Sequence, residues 1–159
     1  MSLLDRLFGG FFKKNDREQQ TPVDSGDFME RWERKRKERI AAAENDLKPW
    51  IIDRLIADKT IDFTWESGND EAFVTFTNHT DQDENLFMEL EGYVVDTLQI
   101  PDAGEFAMTG KGSIYLADKT VRIRHASVLK YLTDYNEETE EEIWGEEETD
   151  SGDTILFSI

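Results

Sequence analysis

Apolar residues recur every three to four positions in the first third of the chain and every second position further on. This change of period marks where helices give way to strands. Phe28, Trp32, Ile40, Ala43 and Leu47 fall on one helical stripe, interrupted at Arg36. Asp27, with Glu30 three residues on, forms an N-cap followed by a capping-box acid. Pro49 is predicted to end that helix. Because proline suits a first helical turn, a second helix carrying Trp50, Ile51, Leu55 and Ile56 is predicted to run to about Asp58, at an angle to the first.

From Ile61 the period falls to two. Ile61, Phe63 and Trp65 alternate with Asp62, Thr64 and Glu66, and after a Gly-Asn turn signal Ala72–Thr77 follows as the return strand of a hairpin. Residues 84–100 fit either period. Read as a helix, Leu86, Phe87, Leu90, Tyr93, Val94, Leu98 and Ile100 cluster within roughly 160° of the wheel. Read as a strand, the segment far exceeds the usual five or six residues. A helix is therefore predicted, with Thr80, Asp81 and Asp83 as N-cap candidates and Pro101 as its stop. Glu105–Met108 reads as a short strand, and Gly110-Lys111-Gly112-Ser113 as a glycine-rich turn. Gly112–Leu116 and Thr120–Arg124 form a second predicted hairpin around Ala117-Asp118-Lys119, and Thr154–Phe157 a final strand. Residues 126–133 suit strand and helix equally.

The N-terminus adds a separate element. Leu3, Leu4, Leu7, Phe8, Phe11 and Phe12 make one face of a short amphipathic helix, which needs something to dock on because so short a helix does not hold its shape alone in water. Its polar face offers only Arg6, Lys13 and Lys14, too few cations for a strong membrane-surface anchor. Residues 13–26, with Pro22 and Gly26, read as a linker. The expected architecture is α+β: N-terminal helices and a central helix packed on a mainly antiparallel sheet of about five strands. An amphipathic segment (1–12) and a linker (13–26) would precede a single domain (27–159) containing an acidic loop (134–153).

Charge changes the picture most. The 159 residues carry 36 acids against 18 lysines and arginines, for a net charge of −18. Residues 1–60 sum to +1 and residues 61–159 to −19. Asp134–Asp153 holds 11 acids and no base, a block that must stay solvated or meet a basic partner. The same sign disfavours a nucleic acid backbone. The run Arg34–Arg39 is expected as a solvated helix face or as a surface turned to the chain's own acidic half. No stretch of 18 apolar residues exists to cross a membrane, and the opening Met-Ser-Leu-Leu-Asp lacks a secretory signal, so a cytoplasmic location is expected. The lack of cysteine removes disulfides, thiolate metal sites and thiol nucleophiles.

Candidate chemistry is sparse, and no cofactor is expected. Asp81, Asp83 and Asn85 alternate like the first ligands of a calcium loop, but Leu86 and Gly92 stand where that loop needs glycine and glutamate. A looser site of His79, Asp81 and Asp83, or an anion site of His125 with Arg122 and Arg124, would support a small enzyme. The leading expectation is instead an acidic, non-enzymatic protein-binding module, in the manner of an inhibitor or immunity protein. Glu140, Glu141, Glu142, Glu146, Glu147 and Glu148 would steer a basic partner and Trp144 would anchor it. A third expectation is an assembly subunit docked through Leu4, Phe8 and Phe11.

Overall fold

A computed structural model describes residues 25–101 and 107–159. The amphipathic segment 1–12 with Leu4, Phe8 and Phe11, and nearly all of the expected linker, lie outside the described residues. Among the described residues the chain forms α1 (Ser25–Asp58), β1 (Thr60–Gly68), β2 (Glu71–Phe76), a 3₁₀ turn (Asp81–Asp83), α2 (Glu84–Leu98), β3 (Ala107–Ala117), β4 (Thr120–Asn136) and β5 (Glu141–Ser158). The strands form one antiparallel sheet in the order β2-β1-β3-β4-β5. The α+β class expected from the sequence is the observed one.

Two compact units divide the chain between Arg34 and Lys35, inside α1. In the first unit, the described start of α1 carries an Asp27–Arg31 ion pair one turn apart. The second unit holds the sheet, α2 and the rest of α1.

Alternation along the strands gives the sheet two unlike faces. One face carries Ile61, Phe63 and Trp65 of β1, Val74 and Phe76 of β2, Ile114 of β3, Val121 and Ile123 of β4, and Phe157 of β5, all buried. Leu47, Ile51 and Leu55 of α1 and Phe87, Leu90, Tyr93 and Val94 of α2 complete that core. The other face is left to polar side chains such as Asp62, Thr64, Lys111 and Arg124. Burial pushes the Tyr93 phenol well above its ordinary pKa.

Several sequence expectations are corrected. Pro49 does not divide the N-terminal helix, because α1 runs through it. An interior proline costs about 3 kcal/mol. Fully burying Leu47 and Ile51 on either side contributes roughly 1.5–3 kcal/mol each, which offsets that cost. The Gly110–Ser113 run is not a turn but the middle of β3, where the rings of Trp65 and Phe63 lie against Gly110 and Gly112. Residues 126–133 are strand, and β3 begins at Ala107. The acidic stretch 134–153 is not a loop, since all but its tight turn belongs to β4 and β5. The two short hairpin turns suit their residues. Asn69 and Asp70, then Asp118 and Lys119, all adopt positive φ, the pairing that matches the right-handed twist of the flanking strands.

The basic run of α1 works inside the fold. Arg36 is only 8% exposed and donates from Nη1 to the Asp96 carbonyl at 3.0 Å. Arg39 grips the Asp96 carboxylate through two hydrogen bonds of 2.8 and 2.7 Å. Both cations thus sit at the C-terminal turn of α2, where carbonyls lack helical partners and the helix dipole favours positive charge.

Helix α2 also guards one edge of the sheet. The Val74 amide of β2, pointing away from β1, donates to Glu91 Oε1 at 2.9 Å. Glu91→Ala is expected to lower stability by about 1 kcal/mol and to speed hydrogen exchange at the Val74 amide. An unchanged exchange rate would show that the carboxylate does not shield that edge.

Candidate functional site

Strand β3 pairs with β4 as far as Ala107↔Lys130. Beyond that point, among the described residues, β4 and β5 pair only with each other, from Tyr131↔Gly145 to Asn136↔Glu141. This two-stranded arm closes through Glu137–Glu140. There Asn136 Oδ1 accepts the amides of Glu138 and Thr139 at 3.0 and 3.3 Å, and Glu140 takes φ 57°. Asparagine suits this role because its short amide can bond to the backbone two residues on.

The arm has two faces, set by register. Leu132 lies opposite Trp144, and Tyr135 opposite Glu142. A bulge between Leu132 and Asp134 absorbs Thr133, so Leu132 and Tyr135 share a face. Trp144 Nε1 donates to Glu142 Oε2 at 3.2 Å on that same face. Leu132, Tyr135 and Trp144 are 51%, 48% and 47% exposed, and the face is continuous with the polar side of the sheet. The reverse side carries Ile143 and, packed against Gly145, Tyr131 and Thr133.

The acids of this region are largely free of ion pairs among the described residues. Lys130 approaches Glu146 at 3.8 Å, His125 Nε2 lies 3.0 Å from Asp150, and Arg122 Nε donates to Asp153 at 2.8 Å. Glu140, Glu141, Glu142, Glu147 and Glu148 are exposed, with no ion pair formed among the described residues. The arm therefore gathers Trp144 with Glu140, Glu141 and Glu142, and Glu146, Glu147 and Glu148 follow on β5 at its base. The arm adds Leu132, which the sequence reading missed because it left 126–133 undecided, and Tyr135, which that reading placed in the acidic loop 134–153.

Away from the arm, where Asp153 pairs with Arg124 in the body of the sheet, it accepts hydrogen bonds from both Tyr115 Oη and Arg122 Nε. These two donors hold the Asp153 carboxyl below the usual carboxylate range. The same carboxylate pushes the Tyr115 phenol up. The signs follow from linkage. The Asp153 contribution to stability is present above the ordinary carboxylate pKa and lost as pH falls through the lowered value. The Tyr115 contribution is present below the ordinary phenol pKa and lost as pH rises through the raised one. In Asp153→Asn, spectrophotometric titration of the tyrosines is expected to find Tyr115 returned toward its ordinary pKa. The stability gap to wild type should close in acid and narrow again in alkali, as Tyr115 ionises.

The other sequence candidates do not assemble. Arg122 and Arg124 sit on the polar face of β4, with Arg124 5.1 Å from the Tyr115 ring centroid. His125 falls on the opposite face, as alternation demands, tilted against Trp65 at 6.4 Å. They are thus not one anion site. His79 packs on the Phe87 ring at 4.9 Å, while Asp81 and Asp83 lie in the 3₁₀ turn leading into α2. No group of three metal-ligating side chains is placed to hold an ion among the described residues. A shallow cavity of about 440 Å³ on the polar face is lined by Asp62, Thr64, Lys111, Ser113 and Arg124. There Asp62 already accepts the hydroxyls of Ser113 and Thr60. No described helix is long and apolar enough to cross a membrane. Compared with known family models, curated proteins and solved structures, the chain matches none.

Proposed function

We propose that this chain is an acidic protein-binding module that engages a basic partner through the β4–β5 arm, in the manner of an inhibitor or immunity protein. One observation carries the reading. The arm leaves the sheet, exposes Leu132, Tyr135 and Trp144 on a single face, and with the adjoining part of β5 carries six glutamates of which, among the described residues, only Glu146 has a cation near it. A two-stranded ribbon standing alone is at best marginally stable in water. Placing a tryptophan, a tyrosine and a leucine half-exposed on one has no benefit for the core. Aromatic side chains ringed by polar groups are, however, the usual energetic centre of an interface. The glutamates would speed encounter and select positive partners, and the apolar trio would hold the complex once formed.

The test uses a defined basic probe, a peptide of roughly ten residues alternating lysine and valine, with affinity measured by calorimetry across a salt series. Wild type is expected to bind at low salt and to weaken as salt rises. Trp144→Ala is expected to bind about tenfold more weakly, through faster dissociation. Equal affinity of Trp144→Ala and wild type would remove the arm from the interface.

A further inference from the structure

We propose that the free edge of β5 takes up one strand of a basic partner, an extended segment bearing lysines or arginines that pairs main chain to main chain along Glu141–Asp153. This rests on the protein-binding reading above and specifies its mode.

The two edges of the sheet are treated differently. The β2 edge is attended by α2, with Glu91 occupying the Val74 amide. The β5 edge runs for 18 residues. Among the described residues, only Lys48, donating to the Ser158 carbonyl at 2.8 Å, reaches its main chain from outside the β4–β5 hairpin. That contact lies at the C-terminal end. Upstream of it, among the described residues, no hydrogen bond from outside the β4–β5 hairpin reaches the main chain of β5, and its outward amides and carbonyls are the template that strand addition uses.

Charge decides which strand fits. Glu141–Asp153 contains seven acids and no base. Alternation, with a bulge at Thr149, sends them to both faces: Glu142, Glu146, Glu148 and Asp153 to the side of Trp144, and Glu141, Glu147 and Asp150 to the other. A strand added at this edge has its side chains beside these acids on both faces, so lysines and arginines gain cross-strand partners and acids are repelled. A second copy of this chain is the wrong occupant, because two such edges would set glutamate against glutamate in a protein of net charge −18. The acids thus block self-association while admitting a strand of opposite sign. The exposed trio Leu132, Tyr135 and Trp144 flanks the entry on one face and provides apolar contact for alternate side chains of the incoming strand.

The experiment compares the alternating lysine–valine peptide with the same sequence N-methylated at every residue, which keeps the charge and removes every main-chain donor. Pairing predicts at least a tenfold loss of affinity on methylation. It also predicts that alternate amides between Glu141 and Asp153 gain hydrogen-exchange protection when the unmethylated peptide binds. Equal affinities with no added protection would overturn strand addition and leave charge attraction to the arm standing. If neither peptide binds at low salt, both readings fall together.

Discussion

Replacing Glu140, Glu141, Glu142, Glu146, Glu147 and Glu148 together by glutamine is expected to slow association with a basic partner by about tenfold to a thousandfold at low ionic strength. Dissociation should change far less. The expectation follows from where the charges are. All six are exposed along β5 and the turn that leads into it, and among the described residues only Glu146 has a cation near it, Lys130 at 3.8 Å. Their fields add, because neighbours on a ribbon lie within the screening length of about 8 Å at physiological ionic strength. Glutamine keeps the shape and hydrogen-bonding capacity of each side chain, and relief of like-charge repulsion favours the folded arm, so a slower encounter cannot be blamed on unfolding. Stopped-flow mixing with a lysine-rich peptide across a salt series measures it. The wild-type rate should fall steeply with salt and converge on the flat, slow rate of the variant. Trp144→Ala should give the opposite signature, an unchanged association rate and faster dissociation. Two variants with the same kinetic profile would contradict the division between steering acids and an apolar anchor.

The parts of this fold that local pattern determines were readable in advance. Ile61, Phe63 and Trp65 alternate because one sheet face is covered and the other is not. Residues 84–100 gather on one wheel face because α2 buries Phe87, Leu90, Tyr93 and Val94. Length settled that choice correctly, yet the same rule would have misjudged β4 and β5, of 17 and 18 residues. Pro49 misled because its local cost is real, while the burial of Leu47 and Ile51 that outweighs it depends on residues distant in sequence. The acidic stretch reads as a loop because aspartate and glutamate are poor strand formers. What makes it a strand is register with β4, a non-local pairing that local pattern does not contain. The same gap hid part of the candidate site. Trp144 and its glutamates could be named from composition, but Leu132 joins that face only through its register with Trp144, and Tyr135 only through the bulge at Thr133. Arg36 looked like a flaw in an apolar stripe, and its purpose appears only with the Asp96 carbonyl in place.

The stability of the site rests on two glycines beneath aromatic rings, and Gly112→Ala is expected to lower the unfolding free energy by about 3 kcal/mol, near the upper end of overpacking effects. A Cβ at Gly112 would lie 2.4 Å from Phe63 Cζ and 2.6 Å from the Arg124 carbonyl oxygen. Phe63 is 1% exposed and packs against Trp65 and Phe76, so its ring has nowhere to go. The carbonyl belongs to β4 and moves only if the β3–β4 ladder moves, and that ladder carries the arm. Gly110→Ala meets the Trp65 ring at 2.0 Å and should be comparably costly. Gly145→Ala is the control. Its Cβ would come within 2.8 Å of Thr133 Cγ2 and 2.9 Å of Tyr131 Cζ. Both are side chains on the exposed arm that can swing aside, so the loss should stay under about 1 kcal/mol. Denaturant titration of the three variants ranks them directly. Gly112→Ala as stable as Gly145→Ala would mean that the aromatic rings do not press on β3. The core would then not be what holds β4 in register for the arm.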